Sequence, residues 1–271
     1  MSMRGHNQFP AFHSIVYSNL LLPTSFCWFH SSTEFPTFDK KVFINFIPPC
    51  FMAERIHLHP VAPKPKQIFV LADHLADGSV LMIPTDSQYA LVCDYQNKKG
   101  IDRIRSIRRM DKKDHLTVMC HSLEHASVFA VLNDTAFKLV RRLIPGPYTF
   151  ILPATREVPR LLMHPKKRTV GIRVPDDAVC LGMTEALGRP VLAITAKLPD
   201  VQYGSPDSPD REMYLSRFDR LVDLIADTEQ PLQAMETTML DLTGNAPVLM
   251  REGLGMEKLT EALALEGLDL A

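Results

Sequence analysis

The sequence predicts a mixed α/β fold, and three features of it carry that expectation. From residue 64 onward, short apolar runs alternate with segments of helical period, the pattern of a sheet with helices packed on it. Val80-Leu81-Met82-Ile83-Pro84 is too continuously apolar to lie on a surface and reads as a covered strand. Near the end, strand-like runs at 237–242 and 248–251 flank a Thr243-Gly244-Asn245 turn and add neighbouring strands to the alternating part.

The elements follow in order. Residues 64–76 read as a helix with Ile68, Phe69, Leu71, Ala72 and Leu75 on its apolar side and Gly78 ending it. The strand at 80–84 follows. Residues 97–110 form a second helix with Ile101, Ile104 and Ile107 inward, and Arg105, Arg108, Arg109 and Lys112 fall on one face at i, i+3, i+4 and i+7. A strand at 116–120 leads to a short helix opened by Ser122, with Glu124 and His125 near its start. Asn133 caps the next helix, whose stripe is Leu139, Val140 and Leu143. Pro145-Gly146-Pro147 breaks it, and strands at 148–152 and 169–174 follow. A helix at 176–187 closes at Gly188, and a strand runs over 191–197. Residues 198–213, rich in Pro, Asp and Ser, read as a loop, and 259–265 as a terminal helix. There is no internal repeat.

Composition narrows the class. The 271 residues are 46% hydrophobic and 23% charged, the balance of an ordinary globular chain large enough for one sizeable core. No apolar run reaches the roughly 18 residues of a membrane helix. Five cysteines (Cys27, Cys50, Cys93, Cys120, Cys180) make no CxxC pair and no zinc spacing, which favours free thiols and a cytoplasmic location. His57 and His59 would share one face of a strand, but no neighbouring acid or thiol completes a ligand set, so no metal site is expected.

Residues 1–51 differ from the rest. They hold few charges and many Phe, Pro, Ser and His, with no helical or strand period. Leu20-Leu21-Leu22 is too short for a signal-peptide core, and Arg4 is the stretch's only arginine, against a transit peptide. Met52-Ala53-Glu54-Arg55 resembles an ordinary chain start. The expectation is a disordered or mis-assigned extension over 1–51 and a single domain over 52–271.

Near-neutral net charge hides an asymmetry. Residues 98–173 hold 17 Lys and Arg against 6 Asp and Glu, and residues 174–271 hold 7 against 18. Such a basic segment favours a polyanion or nucleotide partner, and the alternative is that the two halves pair with each other. The strand at 80–84 ends in Thr85-Asp86-Ser87 with Tyr89 beyond, beside the cationic helix. A buried strand ending in hydroxyls and a carboxylate is how an open α/β sheet presents a small-molecule site, and the neighbouring cations point to an anionic ligand.

Several stretches, in order, resemble the YrdC/YciO family, which includes the threonylcarbamoyl-AMP synthases. They are Pro84-Thr85-Asp86-Ser87 with Tyr89, Pro145-Gly146-Pro147-Tyr148-Thr149-Phe150-Ile151-Leu152, Gly171-Ile172-Arg173-Val174-Pro175, Thr237-Thr238-Met239-Leu240-Asp241-Leu242 and Arg251-Glu252-Gly253. The resemblance covers about residues 56–253. It implies a twisted, open mixed sheet with flanking helices and a basic concave face. It also implies a nucleotidyltransferase that joins L-threonine, bicarbonate and ATP, with Mg²⁺, into threonylcarbamoyl-AMP and pyrophosphate for modification of adenosine 37 in tRNA.

Carried over residue by residue, Thr85 and Tyr89 line the threonine pocket and Thr149 lies on the cleft floor. Arg173 meets a carboxylate or phosphate, and Arg251 meets a phosphate. Each has a plainer reading. Thr85 caps a turn, Tyr89 is a core aromatic with its hydroxyl satisfied, Arg173 pairs with Asp176 or Asp241, and Arg251 sits on the rim. Asp86 either helps hold Mg²⁺, orients Ser87 or caps a turn.

The chain departs from the synthase pattern at two signatures. A Lys-x-Arg signature meets Arg108 at its first position but Met110 at its second, and a later Lys falls at Asp114, beside His115. Lys112 and Lys113 substitute only if the loop shifts register, and His115 lies near the phosphate path or is simply a solvated loop histidine. A Ser-x-Asn signature becomes Thr195-Ala196-Lys197, which keeps a hydroxyl and puts a charge where an amide stood. Each lost charge-assisted hydrogen bond to phosphate costs roughly 1.5–3 kcal/mol, so two amount to about a hundredfold or more in rate. These departures resemble the YciO branch, as does His57-Leu58-His59-Pro60. Two functions stay open: a threonylcarbamoyl-AMP synthase of weakened or altered activity, or a paralogue that binds nucleotide, tRNA or double-stranded RNA without synthase chemistry.

Overall fold

The computed structural model describes residues 52–111, 116–160, 162–197, 210–233 and 235–271. The extension at 1–51 and the loop carrying Lys112, Lys113, Asp114 and His115 lie outside them. The first half of the described chain runs β1 (Glu54–His57), α1 (Pro65–Ala76), β2 (Leu81–Ile83), β3 (Ala90–Asp94), α2 (Lys98–Ile107), β4 (Thr117–Met119), α3 (Leu123–Phe129), α4 (Asp134–Leu143) and β5 (Tyr148–Pro153). The second half runs β6 (Thr169–Arg173), α5 (Ala178–Leu187), β7 (Val191–Thr195), α6 (Arg211–Ser216), β8 (Leu224–Asp227), β9 (Thr238–Asp241), β10 (Val248–Arg251) and α7 (Met256–Glu266).

All ten strands join one mixed sheet in the order β1-β8-β2-β3-β7-β4-β6-β5-β9-β10. The pairs β1/β8, β8/β2, β4/β6 and β5/β9 are parallel and the remaining pairs antiparallel. The expected mixed α/β class is therefore the observed one.

The apolar runs are continuous because both faces of the central strands are covered. In β2, Leu81 and Ile83 enter a core with Leu71 and Leu75 of α1 and Val179 and Met183 of α5. Met82, pointing the other way, enters a second core with Ile104 of α2, Leu139 of α4 and Leu215 of α6. The same period-two split runs through β3, β7 and β8.

The α1/α5 core reaches only as far as Met119 of β4. Beyond it, the sheet register puts Gly171 and Arg173 of β6, Thr149 and Ile151 of β5, and Met239 and Asp241 of β9 on that same face. Their alternates Ile172, Phe150 and Leu240 belong to the opposite core. Among the described residues no helix core covers this half-face.

The helix caps read from sequence are present. Ser122 accepts from the His125 amide at 3.1 Å and Asn133 from the Ala136 amide at 2.8 Å, while Gly188 ends α5 in the left-handed region. The structure corrects the expected elements in four places. First, β1, β3 and β8 are strands that the sequence reading did not list. β1 holds a single apolar residue, and β3 and β8 are short apolar runs with no proline to mark their end, as Pro84 marks β2. Second, the end of the 198–213 loop is α6, capped by Asp210 accepting from Met213 at 2.7 Å. Third, α7 begins earlier than expected, at Met256. Fourth, α2 ends at Ile107 with Arg108 as its cap, and Arg109 turns into the left-handed region at φ 48°. The expected single helical face of Arg105, Arg108 and Arg109 is broken there.

One close approach fixes the end of the sheet. The Tyr148 hydroxyl donates to the Gly255 carbonyl at 2.7 Å, and a Cβ on Gly255, at φ +86°, would stand 2.4 Å from that hydroxyl. Gly255→Ala is expected to destabilise the protein by about 1–3 kcal/mol, read as a lower urea midpoint. Gly244→Ala, whose Cβ would meet only the Ala246 carbonyl oxygen, at 3.8 Å, should stay within about 0.5 kcal/mol of wild type.

Candidate functional site

After β2 the chain turns through Thr85, Asp86 and Ser87. The Thr85 hydroxyl donates to the Gln88 carbonyl at 2.7 Å and accepts from the Ser87 amide at 3.1 Å, which closes the turn on itself. Arg173, on the uncovered half-face, reaches into this turn. Its Nη2 donates to Thr85 Oγ1 at 3.1 Å, to Ser87 Oγ at 2.9 Å and to an Asp86 carboxylate oxygen. The other Asp86 oxygen accepts from the Asp176 amide at 2.8 Å. Arg173 is only 8% exposed, so its charge needs a partner, and Asp86 is that partner. The alternatives Asp176 and Asp241 are corrected: Asp176 gives its backbone amide to the same carboxylate. Arg173 Nε is buried without a hydrogen-bond partner among the described residues.

Tyr89 forms the second part. Its hydroxyl donates to Asp227 at 2.9 Å. Asp227, 1% exposed, also accepts from Arg211 and, at 2.9 Å, from the Glu229 amide. Burial, then the Asp227 charge, pushes the Tyr89 phenol up, so it stays a donor. Burial alone would raise Asp227, but hydrogen bonds from Arg211, the Glu229 amide and Tyr89 hold it below the usual carboxylate range.

Between these parts lies a cavity of about 190 Å³ lined by Thr85, Ser87, Tyr89, Thr228, Gln230 and Gln233 among others. Its lining also includes Asp86 and Asp177 and holds no Lys or Arg. Asp177 caps α5 through the Cys180 amide at 2.8 Å, and burial raises its carboxyl. The space suits a small ligand rich in hydrogen-bonding groups.

The other candidates gather at a second cluster. Thr149 is buried, with Oγ1 3.0 Å from Thr237 Oγ1. Arg251 donates from Nη2 to Thr237 Oγ1 at 2.8 Å and from Nε to the Thr237 carbonyl at 3.0 Å, and its Nη1 lies 2.5 Å from Glu236. Lys197 Nζ is 3.9 Å from the same carboxylate. Arg108 donates to the Lys197 carbonyl at 2.5 Å. Thr195 ends β7, paired with Ala90 of β3 just after Tyr89. Met110 packs against the larger core rather than facing a ligand. Lys112, Asp114 and His115 are outside the described residues.

Sequence reasoning missed Asp227, Arg211 and Glu236. Leu224-Ile225-Ala226-Asp227 carries the same signal as β2 and its turn, an apolar run ending in an acid. The acidic neighbours that His57 lacked in sequence are supplied by the fold, since its Nδ1 lies 3.3 Å from Glu229 and 3.7 Å from Asp227. His59 Nδ1 instead accepts from the Val61 and Ala62 amides. Pairing between the basic and acidic halves occurs at Arg103 with Asp223, at 2.6 Å, and at Arg142 with Glu266.

A mixed sheet with a buried arginine behind a cluster of hydroxyls, and a small polar cavity beside them, places this chain among α/β proteins with a small-molecule-sized site. The chain belongs to the Sua5/YciO/YrdC family: the family's sequence model, described as telomere recombination, matches residues 73–253. An uncharacterized protein of Haemophilus influenzae is 39% identical over 204 residues, 75% of this chain and 97% of that one. The crystal structure of Escherichia coli YciO superposes with a TM-score of 0.70 at 36% identity, covering 75% of this chain and 97% of its own. More distant is Pyrococcus abyssi Sua5 complexed with L-threonine, with a TM-score of 0.64 at 25% identity, covering 81% and 65%. A Pyrococcus abyssi protein named threonylcarbamoyl-AMP synthase is 27% identical over 199 residues, 73% of this chain and 57% of that one. No described helix is long and apolar enough to cross a membrane.

The Asp227 network gives a signed pH dependence. A carboxyl held below its ordinary 3.8 stabilises the fold above that pH, and the contribution is lost as pH falls through the depressed folded value. Wild type should therefore lose more stability than Asp227→Asn between pH 5 and pH 3, measured by urea unfolding at each pH.

Proposed function

We propose that this chain is a threonylcarbamoyl-AMP synthase-type nucleotidyltransferase acting on L-threonine, bicarbonate and ATP, with its product used in modifying tRNA adenosine 37. The observation that carries the reading is the buried Arg173 clamped on Thr85, Asp86 and Ser87 beside a 190 Å³ cavity. It occurs in a chain whose structural relatives include a Sua5 holding L-threonine.

Chemically, the threonine amine and bicarbonate give a carbamate and water. A carbamate oxygen then attacks the α-phosphorus of ATP as the bond to pyrophosphate breaks. No protein nucleophile is needed, so the protein's task is positioning and charge neutralisation. Thr85, Ser87 and Tyr89 hold threonine, with Arg173 fixing the turn that presents the two hydroxyls. Lys197 and Arg251, with Arg108 bracing the Lys197 backbone, face the triphosphate, and Thr149 and Thr195 lie at the edges of that path.

The donor set does not fit a Mg²⁺ ion held by the protein alone. Among the described residues no group of three or more His, Cys, Asp or Glu could hold a metal, and both Asp86 oxygens are already engaged. Mg²⁺ enters with the triphosphate, as part of the substrate.

A second reading, a nucleotide- or duplex-RNA-binding paralogue without turnover, is favoured by one observation. Met110, where the synthase pattern has a cation, is a partly buried side chain packed against the larger core and offers no charge to a transferring phosphate.

The test is pyrophosphate release with Mg²⁺, ATP and bicarbonate, with and without L-threonine. Threonine-dependent release is expected, and Arg173→Ala, shown to be folded by circular dichroism, should lower it by about a hundredfold or more. Release that ignores threonine would sink the proposal. Absent release together with duplex-RNA binding of steep salt dependence would put the protein in the second class.

A further inference from the structure

Arg251 is a cation with every nitrogen spoken for, and all its partners lie in one dipeptide. Nε donates to the Thr237 carbonyl, Nη2 to the Thr237 hydroxyl, and Nη1 faces Glu236 at 2.5 Å. Lys197 approaches the same Glu236 carboxylate at 3.9 Å from a different strand end. A carboxylate therefore stands where two candidate phosphate ligands converge. The side chains are partly exposed, 36% for Arg251, 44% for Lys197 and 29% for Glu236, so the cluster is open to solvent on one side.

The backbone under it is hydrogen-bonded and closely packed. The Leu254 amide donates to the Glu236 carbonyl at 2.9 Å, and Gly253 is packed so closely that a Cβ there would stand 2.4 Å from that carbonyl. A rotation of the Glu236 side chain, which is 29% exposed, leaves that backbone in place. Two of the three Arg251 contacts are made by Thr237 and survive such a movement. The Nη1 donor and the Lys197 ammonium are the groups it releases.

We propose that Glu236 is the resident counter-ion of the anion subsite formed by Arg251 and Lys197, and that a phosphate-bearing ligand binds by displacing its carboxylate. This rests on the phosphate-binding role of Lys197 and Arg251 in the proposed function and adds the residue that sets its strength. The geometry resembles a bound ligand already in place: a two-oxygen acid between a guanidinium and an ammonium, which is how a phosphate would be held. Displacement costs the ligand one carboxylate–cation contact. The subsite is then weak for a lone anion and effective for one anchored elsewhere in the cleft, such as a nucleoside triphosphate.

The experiment is calorimetric titration of the full chain with inorganic pyrophosphate at low salt. Glu236→Gln, which keeps the side-chain size and loses the charge, is expected to tighten Kd by about tenfold. Most of that gain should disappear at high ionic strength, because the pair is partly exposed. In the triple variant Glu236→Gln/Arg251→Gln/Lys197→Gln the gain should vanish, a result that a purely structural role for Glu236 does not produce. Glu236→Asp, which keeps the charge on a shorter stem, should fall between wild type and Gln and guards against a folding defect in either.

Unchanged or weaker pyrophosphate binding in Glu236→Gln would overturn the inference. So would a gain that persists without both Arg251 and Lys197. Because the readout is binding, it separates from synthase activity. A tighter Glu236→Gln with no threonine-dependent turnover in any variant would keep this inference and remove the proposed reaction, and the reverse pattern would do the opposite.

Discussion

The buried ion pair of Arg173 and Asp86 is the constraint on which the site depends. Taking two charges out of water is costly, and the pair is tolerated because each remaining oxygen or hydroxyl around it is also hydrogen-bonded. Breaking such a pair from one side costs ~3–5 kcal/mol. It therefore locks three things together: the end of β6, the turn after β2 and, through the Asp176 amide, the entry to α5. The hydroxyls of Thr85 and Ser87 face the cavity in a fixed arrangement because this pair leaves the turn little freedom. The Nε of Arg173 is a buried donor without a hydrogen-bond partner among the described residues at this point.

The sheet explains why the site is there. Its central strands are sealed on both faces, and their alternating side chains feed two separate cores. Past β4 one face loses its helices, and the residues there change from Leu, Ile and Val to Gly171, Arg173 and Thr149. Polar side chains on a sheet face without helical cover need partners from loops. The turn after β2 and the segment after β8 supply them, and the cavity is the space left between those two segments.

Much of the fold was legible because it is written locally. The run 80–83 could only be a covered strand, and Ser122 and Asn133 could be named as caps because capping is a bond across three residues. The strands β1, β3 and β8 were not legible: β1 holds one apolar residue, and β3 and β8 end in an acid with no proline to close them. Thr85, Tyr89 and Arg173 were found from motif order. What Arg173 pairs with was not, because Asp86 lies 87 residues away and only the fold brings the two together. Asp227 and Glu236 escaped for the same reason: a single acid in sequence gives no sign of whether it will be buried against a phenol or set between two cations.

The central claim is that the cavity behind Thr85, Ser87 and Tyr89 receives L-threonine. The most direct measurement is calorimetric titration of the full chain with L-threonine and, separately, with L-valine, which has the same shape and lacks the hydroxyl. A pocket lined by committed hydrogen-bonding groups should bind threonine saturably and reject valine by a large factor, because valine leaves buried polar atoms unpaired. Equal binding of the two, or no threonine binding at all, would contradict the account.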